Sequence, residues 1–204
     1  MQNITRNNAK KKRKGRIVII SGPSGSGKTT LHERLLSCKK MKKVLVKSIS
    51  ATTRPPRKGE KNGRDYFFLS EKMFLYKKHA GHFLESERVF LYYYGTPNKN
   101  VQDHLKSGRN VLLCIDVKGA KTVWRKHPRT LKIFIKAPSL DVIQKRMKKR
   151  ATESDKDLAL RLSTARKELK EAKKYDYVIV NDELSRAAKE LETVILKELL
   201  LKNN

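Results

Sequence analysis

Apolar residues in this chain gather in short unbroken runs, and segments of helical period stand between them. Ile17-Val18-Ile19-Ile20 predicts a buried strand over 16–20, and Leu31, Leu35 and Leu36 predict a helix reaching about 38. A second strand is expected near 44–50. Residues 64–96 break the rhythm: they carry short runs rich in Tyr and Phe with one helical patch near 71–80, which reads as a small mixed insert. The alternation then resumes with a helix near 98–107, ended by Gly108, and a strand over 111–116. A helix follows from about 118, then a strand over 131–135 and a helix over 140–149 with Ser139 as its candidate N-cap. A highly charged helical stretch covers 153–175, a last strand 177–180, and a final helix 184–202. That helix carries Leu184, Ala187, Ala188, Leu191, Val194, Ile195 and Leu199 on one face. The pattern is α/β, a parallel sheet flanked by helices, interrupted by two excursions.

Composition changes this picture in two places. A length of 204 residues suits one domain with a sizeable core, and no apolar run is long enough to span a bilayer. No secretory signal is seen and Cys38 and Cys114 lie far apart without CxxC spacing, so a cytoplasmic protein with reduced thiols is the default expectation. The net charge is +29. Arg6, Lys10, Lys11, Lys12, Arg13, Lys14 and Arg16 put seven positive charges into residues 6–16, leaving about twenty-two on the folded part, and the basic tail (1–15), which nothing apolar anchors, is expected to be disordered. Such an excess suggests anionic partners. Some of it must face substrate phosphates, much of it, like the lysines between 39 and 47, reads as solvated surface, and nucleic-acid affinity is expected to be incidental.

The candidate chemistry begins directly after the first strand. Gly22-Pro23-Ser24-Gly25-Ser26-Gly27-Lys28-Thr29 is a complete GxxxxGK[ST] phosphate loop between a strand and a helix, with Thr30 following. Glycines let successive backbone N–H groups turn inward around a polyphosphate, Lys28 can reach its β- and γ-phosphates, and Thr29 can offer a hydroxyl to Mg²⁺. The first excursion contains Thr52-Thr53-Arg54-Pro55-Pro56-Arg57. Two guanidinium forks three residues apart on a proline-stiffened loop suit bidentate phosphate binding, with Tyr66 and Tyr94 available to hydrogen-bond the same anion. A proline-rich turn with solvated arginines is the competing account of that segment alone.

Five ordered blocks extend the pattern. They are Ser48, Ser50, Thr52, Thr53, Arg54, Pro56, Arg57, Gly59, Glu60, Gly63 and Tyr66; Phe83-Leu84-Glu85 with Tyr93-Tyr94-Gly95-Thr96; Ile115-Asp116-Val117-Lys118-Gly119; Arg150 to Ser154 with Arg161 beyond; and Val178-Ile179-Val180-Asn181-Asp182. Together they resemble the guanylate kinases over about 16–200. The resemblance implies a P-loop NTPase-type core (16–50 and 97–200), a GMP-binding insert (about 51–96) and a helical lid (about 150–165). It also implies Mg²⁺-dependent phosphoryl transfer from ATP to GMP or dGMP. Arg54, Arg57, Tyr66 and Tyr94 would then hold the GMP phosphate, and Glu85 and Asp116, with Ser50 and Thr96, would read the guanine. Guanine presents N1–H and an amine as two adjacent donors, which carboxylates accept. Adenine lacks the pair and would leave buried acids unpaired, a mismatch worth roughly ten-thousand-fold or more. Surface acid for Glu85 and strand-end cap for Asp116 are the bland alternatives. Arg150 and Arg161 would bring charge onto the phosphates, with Arg146 a weaker candidate and ion pairs to Glu153 or Asp157 the competing account. Asn181 would lie near the adenine.

Two departures from the family pattern stand out. Cys114 occupies a position where the family often has Asp, and Ala151 replaces a glycine after the lid arginine. The rival from another class is a guanylate-kinase-like module that binds phosphorylated peptides, but such modules tend to have an eroded phosphate loop. A kinase of ribose bisphosphates would have no use for the Glu85, Asp116, Ser50 and Thr96 set. Oligomeric state is not legible.

Overall fold

The run Ile17-Val18-Ile19-Ile20 forms the centre of the molecule. The computed structural model describes residues 14–148 and 155–201. Strand β1 (Ile17–Ser21) leads to helix α1 (Lys28–Ser37), a short helix α2 (Lys39–Val44) and strand β2 (Leu45–Lys47). The insert follows, with β3 (Ala51–Thr52), β4 (Phe67–Phe68), α3 (Glu71–His79), β5 (Phe83–Val89) and β6 (Tyr92–Pro97). Helix α4 (Asn98–Lys106), β7 (Asn110–Cys114), α5 (Val117–Lys126), β8 (Leu131–Lys136) and α6 (Leu140–Lys148) return to the core. Helix α7 (Asp155–Leu169), a 3₁₀ segment (Lys170–Lys174), β9 (Tyr177–Val180) and α8 (Leu184–Leu196), with a π-helical end (Lys197–Leu201), complete the described chain.

The main sheet has the order β2-β7-β1-β8-β9, and all its pairings are parallel. β1 is buried along its whole length, as a parallel strand covered on both faces must be. Val18 and Ile20 face one layer, with Leu31 and Leu35 of α1 and Leu191 and Ile195 of α8. Ile17 and Ile19 face the other, with Val101 of α4 and Val123 of α5. The chain runs outward from β1 to β2 and later crosses to β8 on its other side, so the carboxyl end of β1 lies where the strand order switches direction. Open α/β sheets hold ligands at such a point.

A second sheet, β4-β3-β6-β5, forms the insert. Its own core is aromatic: Phe74 of α3 is fully buried and stacks on Phe83 (centroids 4.6 Å apart) and Tyr93 (5.5 Å). Ser70 caps α3 through the Met73 N–H, and Ser139, the expected cap of α6, accepts from the Val142 N–H.

The departures from the pattern-based reading are local. Residues 39–44 are helical because Met41 is an apolar anchor at the centre of the lysine run. β2 is an edge strand paired only with β7, and stops at Lys47. β7 stops at Cys114, two residues early, because Asp116 starts a helix. The charged stretch tightens into 3₁₀ geometry after Leu169, and the last α-helix ends at Leu196. Arg150, Ala151 and Glu153 lie outside the described residues. Phe74→Ala is expected to cost about 3 kcal/mol in chemical denaturation, the usual cost of deleting a large buried ring. An unchanged midpoint would mean that the aromatic stack does not hold the insert.

Candidate active site

The turn after β1 is set by backbone geometry. Gly27, immediately before α1, has φ +87°, and a Cβ there would meet the Asn181 amide nitrogen at 2.1 Å. Nothing but glycine fits. The loop is braced from behind: Asn181 Nδ2 donates to the Ser26 carbonyl at 2.8 Å, and Arg146 reaches the Asn181 carbonyl at 3.1 Å and the Gly25 and Ser26 carbonyls at 3.5 Å. Asn181 and Arg146 therefore work here as loop supports, and the structure shows neither reaching into the cleft. Lys28 folds over the turn, donating from Nζ to the Gly22 and Pro23 carbonyls at 2.6 and 2.8 Å. Helix α1 has no acidic residue in its first turn and no side-chain cap, so its leading N–H groups and positive dipole end face the loop uncompensated.

In front of this loop lies a cleft of about 380 Å³. Gly22, Ser24, Gly25, Gly27, Lys28 and Thr29 form one wall. Ser50 stands just before the insert, which contributes Arg54, Arg57, Tyr66, Glu85 and Tyr94; Cys114 comes from the end of β7, Asp116 from the start of α5, and Arg161 from α7. Pro23, Ser26, Thr30, Thr96 and Asn181 stand outside the wall. Thr30 is exposed on α1, Ser26 is buried beneath the loop, and Thr96 is buried with its hydroxyl on Glu85. Arg150 lies outside the described residues.

Two carboxyls of the cleft wall meet beside Gly119. Glu85 is 5% exposed and accepts from the Thr96 hydroxyl at 2.5 Å across the β5–β6 ladder. That ladder shifts register between Phe83 and Glu85, a bulge of the kind that re-aims a side chain. Asp116 caps α5, its Oδ1 accepting from the Gly119 N–H at 2.8 Å. Gly119 is required for a second reason: a Cβ there would lie 2.5 Å from Glu85 Oε2. Burial pushes the Glu85 carboxyl up to about 8, against the Thr96 hydroxyl and with help from the Asp116 and Glu87 charges.

The arginine pair is organised by an acid. Glu60 accepts both contacts of Arg54 Nη2, at 2.8 and 2.9 Å, and the Arg57 N–H at 2.7 Å. Burial works most strongly against the Glu60 charge, but the Arg54 contact, the Arg57 N–H and the charges of both arginines together outweigh it and hold the carboxyl below its ordinary value. Arg54 also donates to the Pro55 carbonyl and lies 5.5 Å from the Tyr66 ring centroid. The Arg57 residue is exposed at the cleft wall. Burial pushes the Tyr66 phenol up to about 12, so it stays a hydrogen-bond donor at neutral pH.

Sequence reasoning missed Arg88, Val89, Phe90, Lys118, Leu160, Thr164 and Glu168, all in the cleft wall. A signal existed for the last three: with Arg161 they recur at the three-to-four spacing of one helix face. Burial pushes Glu168 up to about 7, against the pull of Lys28. Cys114 lines the cleft where the resemblance expects a carboxylate. Burial keeps its thiol protonated against the fields of Lys28 and Lys47.

A family model described as Guanylate kinase matches residues 14–198. The chain belongs to the guanylate kinase family. It is 42% identical over 187 residues to a guanylate kinase of Caldanaerobacter subterraneus subsp. tengcongensis, covering 92% of this chain and 89% of that protein. It is 44% identical over 179 residues to one of Rubrobacter xylanophilus, covering 88% and 92%. The crystal structure of guanylate kinase from Anaplasma phagocytophilum superposes with a TM-score of 0.76 at 34% identity, over 93% of this chain and 88% of that one. The fold is that of these P-loop kinases, and the chain is a nucleoside-monophosphate kinase.

The Glu60 contact makes a prediction of its own. Glu60→Gln is expected to lower stability by about 1–2 kcal/mol at pH 7, because Arg54 loses its charged partner at a partly screened site. The folded carboxyl titrates below its unfolded value, so this contribution is present above the unfolded pKa and lost as pH falls through the folded one. Denaturation of both proteins at pH 7 and pH 3 should show the gap closing in acid. A gap that does not change with pH would remove this role.

Proposed function

We propose a division of labour within this cleft for the reversible transfer of a phosphoryl group from ATP to GMP, giving ADP and GDP. One observation carries it. A phosphate loop at a helix N-terminus, a pair of carboxyls, one buried and one capping α5, and a set of arginines line a single cleft.

ATP phosphates occupy the loop from Gly22 to Thr30, and Lys28 exchanges its contacts with the loop carbonyls for phosphate oxygens. The guanine lies at the carboxyl pair. Glu85 and the second oxygen of Asp116 accept its N1–H and amine, Thr96 orients Glu85, and Ser50 completes the base contacts. Arg54, Arg57, Tyr66 and Tyr94 hold the GMP phosphate, to which Arg54 turns part of the guanidinium that Glu60 keeps in place. The attacking phosphate oxygen is already anionic, so no general base is needed. Catalysis consists of bringing two polyanions together and neutralising the charge that passes between them. Lys28, the arginine pair and Arg161 supply that charge, together with Arg150 from outside the described residues.

The donors suit Mg²⁺. Thr29 offers a hydroxyl in the first turn of α1, and phosphate oxygens complete such a shell. Among the described residues no three His, Cys, Asp or Glu side chains gather to hold a metal by themselves. Thr29 would then be its protein ligand, the remaining positions going to phosphate and water. When bound, the ion supplies charge neutralisation at the donor phosphates.

The insert over about 51–96 serves as the acceptor-binding unit, and 150–165 as the lid, of which 155–165 begins α7. ATP and GMP as substrates support a cytoplasmic place of work. No helix among the described residues is long and apolar enough to cross a membrane. The intact Lys28 and Thr29 favour turnover over a peptide-binding role.

The test is ADP formation from ATP and Mg²⁺ with GMP, dGMP, AMP, CMP or UMP as acceptor. Turnover confined to GMP and dGMP is expected, and equal turnover with AMP would sink the base-reading roles of Glu85 and Asp116. Glu85 gives a sharper check. Unliganded at pH 7 it is mostly protonated, yet it must be ionised to accept from guanine. Binding of GMP should therefore release close to one proton at pH 7 and tighten as pH rises toward 8, a proton release measurable by calorimetry in buffers of different ionisation enthalpy. No proton release at pH 7 would exclude Glu85 as the acceptor.

A further inference from the structure

The β5–β6 hairpin turns through two residues, Phe90 and Leu91, with Val89 and Tyr92 paired at its base. Phe90 has φ +55°, the one non-glycine residue in the left-handed region among the described residues. A two-residue loop with positive φ at its first central position, and not at its second, is the turn that calls for glycine there. Phenylalanine holds this position against the preference of its own backbone. Strained residues of this kind persist where their surroundings hold them, and they collect at functional sites.

The hold is visible. The guanidinium carbon of Arg161, on α7, lies 4.7 Å from the Phe90 ring centroid, and both residues line the cleft. Burial in an apolar core does not explain the phenylalanine, because its neighbour Leu91 is 74% exposed and Phe90 itself is only half-buried. The contact joins the insert to the helix on the far side of the cleft.

We propose that Phe90 is a positioning residue for Arg161, holding the guanidinium over the cleft so that it meets the transferring phosphoryl group already oriented. This rests on the role given above to Arg161. The choice of an aromatic ring has a chemical reason. Glu60 positions Arg54 with a carboxylate, which accepts its N–H donors and offsets its charge. A ring face attracts the cation through its quadrupole and takes none of the N–H donors. The ring contact thus orients Arg161 without itself using the positive charge and donor fork that suit phosphate oxygens.

Three substitutions in the full chain test this. Phe90→Gly suits the turn and removes the ring, so its thermal stability should equal or exceed that of the parent. Its affinity for GMP alone should stay within about twofold, while kcat falls roughly tenfold, the scale of a partly desolvated cation–π contact. Phe90→Leu should lose kcat alike, and Phe90→Tyr should keep it. In an Arg161→Gln background, Phe90→Gly should change kcat no further. Parental kcat in Phe90→Gly, a failure of Phe90→Tyr, or additive effects in the double variant would overturn the proposal. So would a loss of GMP affinity or of thermal stability in Phe90→Gly that matches the loss of kcat, since the ring would then be a substrate contact or a packing element. Parental kcat in Arg161→Gln alone would instead remove the role of Arg161, and the proposal with it.

Discussion

The backbone of the phosphate loop has to turn its amides inward at the carboxyl end of a fully buried strand, and the rest of the molecule is arranged around that requirement. An inward-facing row of N–H groups is costly to keep unless its outer carbonyls are satisfied. Asn181 at the end of β9 and Arg146 on α6 satisfy them, and Lys28 takes the first two. The five-stranded sheet is what brings these elements to one place. β8 and β9 follow β1 outward, so the residue after β9 arrives behind the loop. The anion site is therefore built before any anion binds, and little ordering remains to be done on association.

The cleft holds two opposite electrostatic problems. At the arginine pair, positive groups converge and would repel one another without phosphate. Glu60 stands between the arginines and relieves part of this. At Glu85 and Asp116 two carboxyls converge, and burial with mutual repulsion keeps a proton on Glu85. A nucleoside monophosphate of guanine presents donors at its base and negative charge at its phosphate, so it can answer both at once. A ligand with only one of these features would leave the other group in its unfavourable state.

Much of this was legible in the chain. Continuous apolar runs marked the strands because parallel strands are buried on both faces, and the phosphate-loop glycines marked the turn because no other residue fits it. The resemblance pointed to Glu85, Asp116, Arg54, Arg57 and Arg161, and the fold brings them to one cleft. What was not legible depends on contacts between distant segments. Nothing local in Asn181 or Arg146 says that their amide and guanidinium groups are used in support of a loop more than a hundred residues away. Glu60 was visible as part of a block, but its grip on Arg54 emerges only from the folded turn. Phe90 breaks the local rule for its hairpin, and such a break can be recognised only once the loop length and its φ are known.

Asp116 carries an evolutionary consequence. The same carboxylate starts α5 and lines the cleft, where we assign it to the base. Any change of nucleobase preference made at this position must also preserve a helix start. Residues that cap well are few: Ser, Thr and Gly lack a carboxylate or amide of that reach, and Asn would present an amide of mixed polarity to the base. Base selectivity at this site is thus coupled to the integrity of the fold, and drift toward another nucleobase has to begin at the other acid, on the insert, where no helix depends on the side chain.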